Sequence, residues 1–315
     1  MNQITDRPVE DVLRGELAEG DAAIATLGPI LRHLLASDTH SLFSDEIVAR
    51  VRGMFSDIAR QLLIAQANAG AVEDARTLLD ERQDRLAEAL LGNSAMLSHA
   101  HALALEWQLA ERLQARNNVD PVLSPLLQSQ IASGDASIAG NAMATLAAQA
   151  RFVQSQRRME LPLAELPGDL FHTALITMRA EAEGEHDELA GEAEASLRSS
   201  YDESRSRLSL LARLVTGMGG KAIEALSIDH AGASLFLTAL SIGSGQDRDL
   251  SVISTNDRQL ARLALALRAS GLKPNAVEEQ FLYLHPEFAL PGGFENLRSD
   301  NAAALLADSA PFAGV

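Results

Sequence analysis

The feature that most constrains this chain is the return of apolar side chains at steps of three and four. The stretch from Ser44 to Gly70 shows it best: Ile47, Val51, Met54, Phe55, Ile58 and Leu62 fall on one stripe of an α-helix. The alternation that a half-buried strand needs is missing. Ser44 can cap the helix by accepting an orphan backbone N–H. Asp45 and Glu46 suit its positive end, and Gly70 can stop it. The same period predicts a charged helix over 72–91 and a helix from Asn93 or Ser94 to about Arg116. In the latter, Met96, Ala100, Leu103, Trp107 and Ala110 point inward, with Trp107 as core. A further helix is expected to start at Asp120–Pro121. Another runs from Asp135 to about Arg158, with Ile138, Leu146, Ala150 and Val153 on one side.

MELPLAELPGD, residues 159–169, interrupts the series, because Pro162 and Pro167 cannot continue a helix. It predicts an N-terminal helical domain over 1–160, a C-terminal helical domain over 168–290, and a docking tail over 291–315 with one weak helix. Within the second domain the period predicts helices over 170–182, 221–227, 231–242, 257–269 and 274–284. It also predicts one long helix over 185–215, in which Leu197, Tyr201, Ser204, Leu208, Leu211 and Val215 form a short heptad seam. The seam fits a neighbouring helix of the same chain or a second copy in a homodimer. No segment reads as a strand. The expected fold is therefore all-α: an antiparallel helical bundle or an α-solenoid-like helical array. A similarity of LLQSQIASGD (126–135) to FLTALSIGSG (236–245), and of NAMATLAAQAR to NDRQLARLALALR downstream, is what an internal duplication of two helical halves would leave.

Composition narrows the function. Aromatics are 4% of the 315 residues, so the core is built mainly from Ala and Leu, which favour helices. A net charge of −17 repels phosphate backbones, and nucleic-acid binding is not expected. The nearest basic patch, Arg151, Arg157 and Arg158, is small and lacks interleaved aromatics. With no cysteine, disulfides, thiolate metal sites and cysteine nucleophiles are excluded. The N-terminal residues lack the basic start and apolar stretch of a signal peptide, and no window has the length of a membrane span; a cytoplasmic location is expected. Lys221 and Lys273 are the only lysines, an Arg- and Ala-rich usage associated with GC-rich bacteria.

Local motifs for chemistry are incomplete. VTGMGGKA resembles a phosphate loop, but Val215 and Ala222 occupy the positions that need glycine and a hydroxyl, and the preceding segment is helical. Its glycines read as a helix stop. DHAGASLF (229–236) fails the nucleophile-elbow pattern, and Asp229 reads as an N-cap. Asp169 and His172, with Glu183 and His186, place a carboxylate one helical turn before an imidazole twice. That is half of a di-metal bundle site, set in a run of acids from Glu181 to Glu194. His99 and His101 point to nearly opposite sides of a helix, one inward and one to water, and cannot share an ion.

The expected function is a non-catalytic helical scaffold or regulatory protein-interaction module that needs no cofactor. Its partner is a protein, engaged through a basic segment on the acidic stretch 181–194 or through an amphipathic helix. Two alternatives are a metal-dependent helical-bundle enzyme using Asp169, His172, Glu183 and His186, and a small apolar-ligand binder lined by Trp107 and Ala-rich helices.

Overall fold

The computed structural model describes residues 8–36, 45–69, 75–182 and 185–309. Helices, and no strand, are present among the described residues. They are α1 (Val9–Ala36), α2 (Asp45–Ala69), α3 (Ala75–Leu91), α4 (Ser94–Asn117), α5 (Pro125–Ile131), α6 (Ala136–Arg157) and α7 (Gly168–Ala180). There follow α8 (Glu185–Ser200), α9 (Arg207–Gly217), α10 (Ile228–Ser244), α11 (Arg248–Ile253), α12 (Leu260–Ala269), α13 (Pro274–Leu284) and α14 (Ser299–Ala307), with short 3-10 turns between some of them. The chain is all-α. Ser44 and Gly70 lie outside the described residues.

The helices gather into two compact units, each made of separate stretches of chain. One comprises residues 1–27, 108–143 and 211–315; the other comprises 28–107 and 144–210. In the first unit α10 is the central element. Every residue from Ala231 to Leu240 is buried, and α5, α11 and α12 pack on it. Gly232 breaks this helix with φ 71° and ψ 166°, a backbone conformation reserved for glycine. A Cβ there would come within 3.1 Å of the Ser124 Cβ. Arg262, fully buried in α12, donates hydrogen bonds to Asp21 of α1 and to Ser309 beyond α14.

In the second unit α2 is central, packed against α3, α7 and α8. The expected stripe Ile47, Val51, Met54, Phe55, Ile58 and Leu62 is buried throughout. So are Arg50, Asp57 and Gln66 on the same helix, polar residues that the apolar pattern leaves unexplained.

Several local expectations are corrected. The helix expected at Asp120–Pro121 starts four residues later, at Pro125. Ser124 there accepts a hydrogen bond from the Leu127 N–H, while Asp120 caps only a turn. The long helix over 185–215 is two helices. Asp202 accepts from the N–H and the hydroxyl of Ser204, forming a tight turn that ends α8 and breaks the heptad seam between Tyr201 and Leu208. Asp229 lies inside α10 and accepts from the Ser227 hydroxyl at 2.6 Å, so it caps nothing. His99 and His101 are both buried, at 2% and 5% exposure, because α4 is covered on more than one side. Leu146 and Ala150 are only partly buried. The inward side of α6 is Ala142, Thr145, Ala148, Gln149, Phe152, Val153 and Gln156.

A candidate anion-binding cleft in the second unit

Polar residues on one side of α2, the buried Arg50 and Asp57 and the half-buried Gln61, hold the end of α6 and the non-helical segment that follows it. Arg50, Asp57 and Gln61 are spaced seven and four apart, so they lie on one side of the helix. Arg50 donates to the Gln156 carbonyl. Asp57 accepts the Leu161 N–H at 3.0 Å, and Gln61 accepts the Leu163 N–H at 3.0 Å while donating to the Leu161 carbonyl at 3.0 Å. Gly53, between them, lies under Met159; a Cβ there would sit 2.7 Å from the Met159 Cβ. Met159 has φ 58°, uncommon for a residue with a side chain. Leu161, Leu163 and Leu166 are buried and anchor the segment further.

A second non-helical segment, the turn between α8 and α9, is fastened to the first. The Tyr201 hydroxyl donates to the Leu166 carbonyl at 2.8 Å, and its ring stacks on Phe171 with centroids 4.0 Å apart. Glu203 accepts the Gly168 N–H at 3.2 Å, and Glu165 accepts the Arg207 N–H at 2.7 Å. Burial, aided by the charges of Glu203 and Asp169, pushes the Tyr201 phenol up to about 12.

These two segments and one face of α6 enclose a cleft of about 510 Å³. Its floor includes Leu103 and Phe152. The guanidinium of Arg207 lies 3.6 Å from the centre of the Phe152 ring. Arg207 is buried and makes a two-pronged pair with Glu106, at 2.7 and 3.0 Å, with a further bond to Gln149 at 3.3 Å. Around the opening stand Arg151, Arg158 and Arg205.

The acids and the bases of this cleft are unequally satisfied. Three acids line it as well, Glu160, Glu165 and Asp202, and the last two accept hydrogen bonds from backbone N–H groups at 2.7 and 3.1 Å. Arg151 reaches Glu165 only at 4.0 Å, Arg158 reaches Glu160 only at 3.9 Å, and Arg205 has no ion pair among the described residues. Arg205 is thus the least engaged of the three, and Arg151 and Arg158 sit at the outer limit of ion pairing. Arg151 and Arg158 come from the small basic patch visible in the sequence; Arg157 does not line the cleft. Arg205 and Arg207 complete it from some 50 residues away, and no local motif announces them.

Other candidates are less complete. Among the described residues no group of three His, Asp or Glu could hold a metal ion. Asp169 sits in the first turn of α7, and His172 Nδ1 lies 2.6 Å from Arg198. Glu183 and the side chain of His186 lie outside the described residues. Three acids of the acidic stretch are paired with arginines. Glu181 pairs with Arg85 at 2.7 Å, Asp187 with Arg179 at 3.1 Å, and Glu194 with Arg198 at 2.8 Å.

The glycines of VTGMGGKA close α9 and open a 3-10 stretch, with Gly219 at φ 55° and no strand before them. Gly217 borders a cavity of about 500 Å³ in the first unit; among the described residues its cations are Arg213 and Lys221, with Glu224 beside them. The nearby N-terminal amides of α6 are already taken by the Asp135 carboxylate. Trp107 is buried with Arg50 5.5 Å from its ring centre, and it does not line the cleft.

No protein-family model, curated protein or solved structure matches this chain.

Proposed function

We propose that the protein is a non-catalytic helical interaction module and that the cleft of its second unit receives an acidic segment of a partner protein. The observation that carries this reading is the imbalance just described. Three arginines face one opening: Arg205 makes no ion pair among the described residues, and Arg151 and Arg158 meet Glu165 and Glu160 only at 4.0 and 3.9 Å. Guanidinium groups held in this way make charge-assisted, two-pronged bonds to carboxylates. The supports of the cleft are fixed before any ligand arrives, which lowers the ordering cost of binding. No nucleophile paired with a base stands among the lining residues, which favours binding over reaction. A nucleic acid is a poor fit, because a long polyphosphate would meet the negative field of the whole surface.

We also read the helices as bundles and not as a solenoid. In a solenoid each unit touches its sequence neighbours only, whereas α2 packs on α7 and α8, far along the chain.

The reading is tested by calorimetric titration of the full chain with hexaglutamate and, separately, with hexalysine. Saturable binding of the acidic peptide, weakened about tenfold or more by the triple substitution Arg151→Gln, Arg158→Gln, Arg205→Gln, is expected. Binding of the basic peptide alone would return the acidic stretch 181–194 as the docking surface.

A further inference from the structure

Three buried polar atoms of the second unit have no hydrogen-bond partner among the described residues: Arg50 Nε of α2, Trp107 Nε1 of α4 and Gln156 Oε1 of α6. Their residues are 5%, 3% and 0% exposed, so bulk solvent does not serve them. They belong to one neighbourhood. The Arg50 guanidinium donates to the Gln156 carbonyl and lies 5.5 Å from the centre of the Trp107 ring. At that distance the ring attracts the charge but does not accept the in-plane Nε–H. Gln156 Nε2 donates to Met54 Sδ at 3.6 Å, and Met54 stands one turn after Arg50 on α2. A thioether sulfur only accepts, which fixes that end of the amide and leaves Oε1 as the other.

Buried indole and guanidinium N–H groups are rarely left unpaired. The set is two donors and one acceptor, and this limits what can serve it. An anion accepts from Arg50 and Trp107 but offers Gln156 nothing. A cation has no lone pair for either N–H, and an apolar guest serves none of the three. A hydroxyl oxygen meets all of them, accepting twice through its lone pairs and donating its proton. From this complementarity we infer that Arg50, Trp107 and Gln156 form a buried site for a single hydroxyl group, held between α2, α4 and α6 and supplied by a water molecule or a small alcohol. Gln156 also lines the cleft, which gives the guest a way in. The site is independent of the acidic-segment reading, because none of its three side chains belongs to the arginines around the opening.

Trp107 is the only tryptophan, so its indole N–H gives a single resonance in the isotope-labelled full chain. A dipolar cross-peak from that proton to one at the water frequency is expected, with the sign of a molecule that tumbles with the protein. It should persist when ethylene glycol is titrated in, which identifies the guest as water. A saturable shift of the indole resonance by ethylene glycol, with loss of the water cross-peak, supports the same site with the alcohol as its guest. Gln156→Met keeps the length of the side chain and removes the acceptor. It is expected to lose most of the cross-peak while circular dichroism shows the helices retained. An unchanged cross-peak in the folded variant would remove Gln156 and overturn the three-residue site. The parent protein decides even if the variant does not fold: no water cross-peak, together with an indole resonance indifferent to ethylene glycol, overturns the inference.

Discussion

Arg207 shows what a single buried charge implies here. It is almost completely enclosed, and Glu106, its partner, is fully so. Removing one member leaves the other unpaired in the core, which typically costs about 3–5 kcal/mol. Arg207→Ala is therefore expected to lower the urea midpoint severely. Changing both residues together, Arg207→Met with Glu106→Leu, should recover most of the loss; a double variant no better than the single one would show that the pair is not the source. Gly53 gives a steric counterpart. Gly53→Ala drives a methyl into Met159, with the Met159 carbonyl oxygen also within 2.9 Å, and is expected to destabilise by about 1–3 kcal/mol. Gly15→Ala in α1 meets nothing within 4 Å and should stabilise by about 0.5–1 kcal/mol. Thermal melts of the two variants should move in opposite directions.

Two titrating residues set pH windows. The Tyr201 phenol is raised from about 10 to about 12, so its contribution is whole below pH 10 and is lost as pH climbs through 12. Tyr201→Phe keeps the ring on Phe171 and should flatten the stability curve over that interval. His285 is the reverse case. Burial first, and then the charge of Arg112, hold its imidazole below the usual value of 6.5. Its contribution is complete above pH 6.5 and fades as pH falls from there through the depressed folded value. Acid unfolding followed by circular dichroism should therefore begin later in His285→Gln than in the parent.

At the scale of the element, the helices were the most legible part of the sequence, for a definite reason. Apolar spacing reports which side of a helix is covered, and the stripes of α2 and α4 came out as expected, as did α13 from Pro274 to Leu284. The same signal cannot register a side-chain hydrogen bond that ends a helix. Asp202 turning the chain after α8, and Ser124 delaying α5, were missed because hydroxyls and carboxylates act on backbone groups without altering hydrophobic period. The two lips of the cleft were illegible for a related reason. Their order comes from Asp57, Gln61 and Glu165, which bond to backbone groups 42 to 104 residues distant. Half of the arginine set, Arg151 and Arg158, is visible in the sequence as a small basic patch without interleaved aromatics. Only folding adds Arg205 and Arg207 to it. One consequence can be measured: Asp57→Ala frees the Leu161 amide and should loosen the first lip, weakening acidic-peptide binding several-fold although Asp57 is outside the cleft.

The whole molecule carries a charge of −17, and the cleft must work against it. The Debye length is about 8 Å at physiological ionic strength, so distant acids are screened while a ligand in the cleft feels mainly the adjacent arginines. At low salt the long-range repulsion is unscreened and should slow the approach of an acidic segment. The association rate is thus expected to rise with salt, opposite to an electrostatically steered pair, while dissociation also quickens as the arginine contacts weaken. Stopped-flow measurements between about 10 and 300 mM salt, over which the Debye length shortens from about 30 Å to about 6 Å, would register both trends.

Hydrogen–deuterium exchange of the full chain, with and without saturating hexaglutamate, addresses the central claim most directly. Slower exchange confined to residues 151–166 and 200–207 is the predicted result, since those segments form the walls of the cleft. Protection appearing instead over 185–194, or unchanged exchange along both walls, would contradict the account.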